Sequence, residues 1–256
     1  MASFDMTVGI FIILFIGGFS AGFVDSIAGG GGLISLPVLL SVGLPPQLAL
    51  GTNKLQGTFG TLSSSLNYIR SGTVDLQEMA RGIVFTFIGA ALGAWLIQLL
   101  DPGFIRHLIP IMLLAVFIYT IWSKELGIKP RAAVMNKRFF FFLFGTTLGF
   151  YDGFFGPGTG SFWTVALMMF LGYDMTRAAG ATRIMNFTSN IVALAVFMIG
   201  QNVLYKAGLT MALGQILGAR IGSQLAIRKG ARFIRPIFLT VVFLTIARLG
   251  YLNYVK

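Results

Sequence analysis

Phe19-Ser-Ala-Gly-Phe-Val-Asp25-Ser-Ile-Ala-Gly29-Gly30-Gly31-Gly32-Leu-Ile-Ser-Leu-Pro37 sets an acid and four consecutive glycines into an otherwise apolar stretch. A base follows in Gly51-Thr52-Asn53-Lys54-Leu55-Gln56. Four glycines in a row interrupt a helix because glycine has little preference for helical backbone. In lipid, the N–H and C=O groups freed at such a break must find protein, water or a ligand. The break therefore marks a place where something polar belongs.

The surrounding chain supplies the lipid context. Of its 256 residues 56% are hydrophobic and 11% charged, against roughly 25% charged in ordinary soluble domains, and the mean hydropathy is +0.84. The expectation is an all-α, polytopic transmembrane helical bundle in the cell (inner) membrane, with the lipid bilayer as its solvent. Runs near Thr7–Val24, Leu48–Ile69, Gly82–Leu100, Phe104–Trp122, Ala178–Ile199, Tyr205–Ile227 and Ile234–Tyr251 approach the roughly 17–25 residues a spanning helix needs. Leu33–Gly43 and Phe139–Tyr151 are too short to cross unaided. The total is about 8–10 membrane segments, with broken or re-entrant helices at the glycine clusters. Met1–Asp5 carries no Lys or Arg and no convincing cleavage site follows, so the first apolar run is read as retained.

A second copy of the opening stretch appears as Leu148-Gly149-Phe150-Tyr151-Asp152-Gly-Phe-Phe-Gly156-Pro157-Gly158-Thr159-Gly160, with Asp152 standing 127 residues after Asp25. Gly180 and Arg183 follow Gly51 and Lys54 by 129, Gly218 and Gly222 follow Gly89 and Gly93 by 129, and Arg232 and Pro236 follow Arg106 and Pro110 by 126. Four anchors in one order predict two repeats, 1–123 and 139–256, joined by a basic linker at 124–138 in a single membrane domain. Each repeat holds a short pair, either two spans or one re-entrant hairpin, and three longer helices. Its number of crossings is odd either way, so the second repeat is expected upside down relative to the first.

The net charge of +11 is a matter of position rather than of nucleic-acid binding, which is not expected, because the basic loops are short and lack interleaved aromatics. With the Lys124–Arg138 loop cytoplasmic and both termini outside, 12 bases fall inside and four outside, and Lys54, Arg183 and Arg220 fall at membrane depth. Ionisable groups there cost at least about 2.5–3.5 kcal/mol each and are functional candidates by default.

At helical spacing, Asn53, Lys54, Gly57, Thr58, Thr61, Ser64 and Ser65 share one side of the third segment, and Arg183, Asn186 and Asn190 recur on one side of its counterpart. One reading is a hydrated anion site flanked by a base from each half, with Gln56 adding a hydrogen bond. The other pairs Lys54 with Asp25 and Arg183 with Asp152 merely to tie helices together. Helices restarting at the glycine clusters would aim N–H groups of Gly31, Gly32, Gly158 and Gly160 at the break. Gly89, Gly93, Gly218 and Gly222 are read as helix-packing positions. Asp25 and Asp152 are coupling or gating candidates, as counter-ions or proton carriers. Arg220 is a third anion ligand or a residue that snorkels to the interface. His107, the single histidine, is read as interfacial, and the absence of cysteine excludes disulfides and thiolate chemistry. No metalloprotease, serine-hydrolase or Walker signature occurs, so no catalytic residue, metal or cofactor is expected.

In Ala21-Gly-Phe-Val-Asp25-Ser-Ile-Ala-Gly-Gly-Gly-Gly-Leu, Thr52-Asn53-Lys54-Leu-Gln56, Gly149-Phe-Tyr-Asp-Gly-Phe-Phe-Gly-Pro157 and Gly214-Gln-Ile-Leu-Gly-Ala-Arg220-Ile-Gly222, the chain resembles the sulfite exporter TauE/SafE family. The resemblance covers most of the chain. It implies a permease for small sulfur-containing anions such as sulfite or a short organosulfonate like sulfoacetate. Gly-Pro-Gly-Thr-Gly departs from the four glycines of the first copy, so the two halves of a site are expected to differ. The reading is a secondary transporter of a small anion working by alternating access around a midplane site. A homo-oligomer is left open. The alternatives are a cation (metal or proton) carrier using Asp25 and Asp152, a membrane-embedded enzyme or assembly subunit, and a passive anion channel.

Overall fold

The structure is a computed structural model in which residues 6–101, 103–104, 132–230, 233 and 236 are described. The expected spans Phe104–Trp122 and Ile234–Tyr251, the loop bases Lys124, Lys129 and Arg131, and His107 lie outside the described residues, apart from Phe104 and Pro236. Among the described residues there are eight α-helices and no strand: α1 (Val8–Ala28), α2 (Gly32–Ser41), α3 (Pro46–Arg70), α4 (Leu76–Leu99), α5 (Lys137–Phe154), α6 (Thr159–Phe170), α7 (Met175–Ile199) and α8 (Tyr205–Lys229).

Local chemistry starts these helices. Thr7, Asp75, Asn136 and Asp174 each accept a first-turn N–H with a side-chain oxygen, the contact that makes such residues good N-caps. Pro46 opens α3, where its missing N–H costs nothing. α5 is longer than the apolar run Phe139–Tyr151 indicates, since the cap at Asn136 starts it at Lys137 and it runs on through Asp152 to Phe154. Its 18 residues extend about 27 Å at 1.5 Å each, close to the hydrocarbon thickness. The 10 residues of α2 extend only about 15 Å. Val38 of α2 packs on Gly17 of α1 while Gly31 approaches Ala21 and Asp25, so α2 folds back along α1 as a hairpin. In the second half α6 returns to the level at which α5 began, where Val134 and Met135 donate to the Phe170 carbonyl at 3.0 and 3.2 Å.

The turn of each hairpin depends on glycine. Gly29 and Gly30 have φ of 81° and 94°, and Gly156 and Gly158 have 99° and 87°, values side chains strain to adopt. The two turns touch: a Cβ on Gly29 would lie 2.6 Å from the Gly160 carbonyl carbon, and one on Gly32 would lie 3.0 Å from Pro157 Cα.

Contacts elsewhere recur between the halves. α1 packs along α8, and α4 along α5. Gly89 and Gly93 sit against the Thr146 and Phe150 carbonyls, while Gly218 and Gly222 sit against those of Phe19 and Phe23. Ser35 donates to Asn53 at 2.5 Å, and Thr164 and Thr182, each 129 residues later, are 3.1 Å apart.

The bundle is apolar outside and polar within. Leu209, Leu213, Leu217 and Ile221 form an exposed stripe on α8, and Phe87, Ile88, Leu92 and Trp95 do so on α4. Thr52, Asn53, Lys54, Gln56 and Thr61 of α3 are buried, as are Thr182, Arg183, Asn186 and Ser189 of α7. Val8–Ala28, Leu76–Leu99 and Met175–Ile199 are long and apolar enough to cross a membrane. In water this distribution would leave a large apolar surface uncovered; in lipid the surface is solvated and the polar interior must be satisfied by itself, by water or by a ligand.

Candidate functional site

Where the two hairpin turns meet α3, α7 and α8, they enclose a cavity of about 30 Å³, room for water-sized occupants by the threshold of roughly 10–15 Å³ for one water. Asn53, Lys54, Gln56, Gly32, Gly158, Gly160, Asn186, Asn190, Asp25 and Asp152, all expected from sequence, line it. Gly30, Gly57, Thr61, Gly156 and Gln215 complete the wall.

Of the two bases, Lys54 lines the cavity while Arg183, also expected there, stands beside its wall at Gly160, and each binds an acid of the other half. Lys54 Nζ lies 2.7 Å from Asp152 Oδ1, and Arg183 Nη1 lies 2.7 Å from Asp25 Oδ2. Each also donates to the backbone carbonyl of its acid. The alternative pairing within halves, Lys54 with Asp25 and Arg183 with Asp152, is thereby corrected: each acid stands at the turn-side end of its hairpin, and the turns cross so that each faces the base of the other half.

The pairs are not equivalent. Asp152 is the more enclosed, its second oxygen accepting from Ser189. The Asp25 side chain is 14% exposed, and its Oδ1 accepts from Gly31 N–H at 3.1 Å. Arg183 is fully buried, yet its Nη2 has no hydrogen-bond partner. A Cβ on Gly160 would stand 2.8 Å from this nitrogen and 3.0 Å from Asn186 Nδ2, so glycine keeps the guanidinium edge clear beside the cavity.

Some expected residues stand elsewhere. Gly31 is spent on Asp25, and the Thr58 hydroxyl donates to the Lys54 carbonyl at 2.8 Å; neither lines the cavity. Arg220 is exposed on α8, one position from lipid-facing Ile221, and does not line the cavity. Gln215 was not singled out from sequence. The available signal was a lone amide between Gly214 and Gly218 in an apolar helix centre.

A second charged cluster, unanticipated from sequence, ties one rim of the bundle. Glu78 in the first turn of α4 accepts from Lys137 at the start of α5, from Arg177 Nη2 at the start of α7 at 2.8 and 2.6 Å, and from the Tyr173 hydroxyl at 2.8 Å. Burial, followed by the bond to Glu78, pushes the Tyr173 phenol above its ordinary range. The opposite rim uses amides: Asn202 donates to Gln98 Oε1 at 3.0 Å, Gln98 to the Val196 carbonyl at 3.3 Å, and Gln47 to the Leu100 carbonyl at 3.1 Å.

A helical bundle with a lipid-facing exterior and a charged, hydrogen-bonding cavity between two hairpin turns is the anatomy of a membrane transporter. Residues 14–249 match the sulfite exporter TauE/SafE family, and the chain belongs to it. It is 42% identical over 247 residues to a "Probable membrane transporter protein" of Haemophilus influenzae, covering 96% of this chain and 97% of that one. It is 39% identical over 239 residues to the "Probable membrane transporter protein YfcA" of Escherichia coli, covering 93% and 89%, and 26% identical over 276 residues to YunE of Bacillus subtilis, covering 94% and 97%. These relatives are described as transporters rather than enzymes. No solved structure matches the chain.

Proposed function

We infer that the chain is a secondary transporter of a small anion, sulfite or a short organosulfonate such as sulfoacetate, working by alternating access around the cavity between the hairpin turns. The observation that carries this reading is a base from each half at one place: Lys54 lines the cavity, and Arg183 stands beside its wall at Gly160 with an unpaired cationic N–H. A buried, unpaired donor is costly without a partner, and an oxyanion supplies one. The cavity is small as it stands, so cargo enters with movement of the hairpins or of the paired acids. Asp25 and Asp152 are then the groups that exchange a base for the anion, and this exchange couples binding to movement. A cation carrier would need those carboxylates free, but each is already held by a base.

Two inverted halves account for the geometry around the site. The α1–α2 hairpin starts and ends near the rim of Gln47, Leu100 and Asn202, and the α5–α6 hairpin near the rim of Glu78. Arg70, Arg81, Lys137, Arg138, Arg177, Arg228 and Lys229 belong to the Glu78 rim and Lys206 to the other, which supports a cytoplasmic Glu78 rim in the inner membrane. The test is flux of radiolabelled sulfite or sulfoacetate into proteoliposomes. Lys54→Met and Arg183→Met should each abolish it while the purified variants remain monodisperse; retained flux in both overturns the site.

A further inference from the structure

Six buried side-chain atoms among the described residues lack a hydrogen-bond partner; three belong to residues lining this one cavity, Gln56 Oε1, Asn186 Oδ1 and Gln215 Oε1, and a fourth, Arg183 Nη2, stands beside its wall at Gly160. Buried polar groups are otherwise satisfied almost without exception, so a local concentration of orphans marks a place where a ligand completes the bonding. The four come from three helices, α3, α7 and α8, which makes a coincidence of one poorly packed segment a weak explanation. Three of the four are acceptors.

Gln215 is seated for this purpose. Its backbone lies against Gly22 of α1, where a Cβ would come within 3.0 Å of Gln215 Cα, and its side chain crosses Gly60 of α3, where a Cβ would stand 2.7 Å from Nε2. Two helices thus give up side chains at the points where Gln215 passes, and the residue is 2% exposed.

We propose that the site selects a small anion that carries its own hydrogen-bond donor, an O–H or N–H, with the anionic group on Arg183 and the donor end on the carboxamides of Gln56, Asn186 and Gln215. The proposal rests on the anion reading of the cavity and narrows it. A bare oxyanion satisfies the guanidinium but leaves the amide oxygens orphaned and brings its charge towards Asp25 and Asp152. A hydroxy- or amino-substituted sulfonate, or the singly protonated form of a dibasic oxyanion, meets both ends at once. Gln215 is the specificity-determining residue, because it alone brings an orphan oxygen from α8.

The experiment compares two probes of nearly equal size and equal charge, ethanesulfonate and 2-hydroxyethanesulfonate, by calorimetry and thermal shift on the full-length protein in detergent. The hydroxylated anion should bind at least about tenfold tighter, because a site built to bond a hydroxyl rejects the analogue lacking it. In Gln215→Met, which keeps the volume between Gly22 and Gly60, the ratio should fall towards one, and Gln56→Met supplies an independent second arm. Equal affinities in the unaltered protein, or a preference that survives both substitutions, overturn the proposal while leaving an anion site in place. Binding of neither probe overturns the anion reading itself and this inference with it.

Discussion

Lys54 Nζ, on α3 of the first half, lies 2.7 Å from Oδ1 of Asp152, on α5 of the second. The reciprocal bond joins Arg183 to Asp25 at the same distance. Both pairs are internal, and both run between the halves, so the ions that flank the cavity also fasten one half to the other. A bond of this kind must break or rotate whenever the halves move past each other.

Removing one member should be costly and removing both less so. We predict that Lys54→Met destabilises the protein by about 3–5 kcal/mol, because it leaves Asp152 buried without its base. Lys54→Met with Asp152→Leu should recover a substantial part of that loss. Chemical unfolding in detergent micelles would measure the cycle, and additive losses in the double variant would sink the idea.

The glycines at helix crossings predict opposite outcomes at two positions. A Cβ on Gly218 would overlap the Phe19 carbonyl and stand 2.8 Å from Phe23 N, whereas one on Gly9 would meet nothing within 4 Å. Gly218→Ala should lose about 1–3 kcal/mol through overpacking, and Gly9→Ala should gain up to about 1 kcal/mol from helix propensity. Thermal melts that rank the two variants the other way would contradict the packing described.

The Glu78 cluster predicts a dependence on salt. Its bonds to Lys137 and Arg177 are partly exposed and therefore open to screening. Each is worth up to about 1 kcal/mol. The melting temperature of the unaltered protein should fall as sodium chloride rises, and that of Glu78→Gln should start lower and respond less. Parallel salt curves would show that the cluster contributes nothing measurable.

Arg220 offers a negative control. Since its side chain is exposed on α8 rather than at the cavity, Arg220→Gln should transport at close to the unaltered rate. A loss of flux comparable with that of Arg183→Met would put Arg220 back among the anion ligands.

Much of the site is legible in the sequence because membrane depth makes polar residues conspicuous. Asn53, Lys54, Asn186 and Asn190 stand out at helical spacing against an apolar background, and each lines the cavity. The pairing is not legible in the same way. Asp25 and Asp152 occupy equivalent places in the two copies, and spacing along the chain cannot say which base each faces once the hairpins cross. Gln215 and Glu78 escape for another reason. The importance of each comes from what two or three other segments bring to it, and no period within α8 or α4 carries that information. α5 outruns its apolar stretch at both ends, because the cap at Asn136 adds Lys137 and Arg138 and the helix continues through Asp152 to Phe154.

Gly29 and Gly160 bring the two hairpin turns together as bare main chain, with no side chain between them to swing aside. Rotamer flips, which occur in picoseconds to nanoseconds, therefore cannot part the turns at that point; only displacement of a hairpin can, on the microsecond-to-millisecond scale of collective motion.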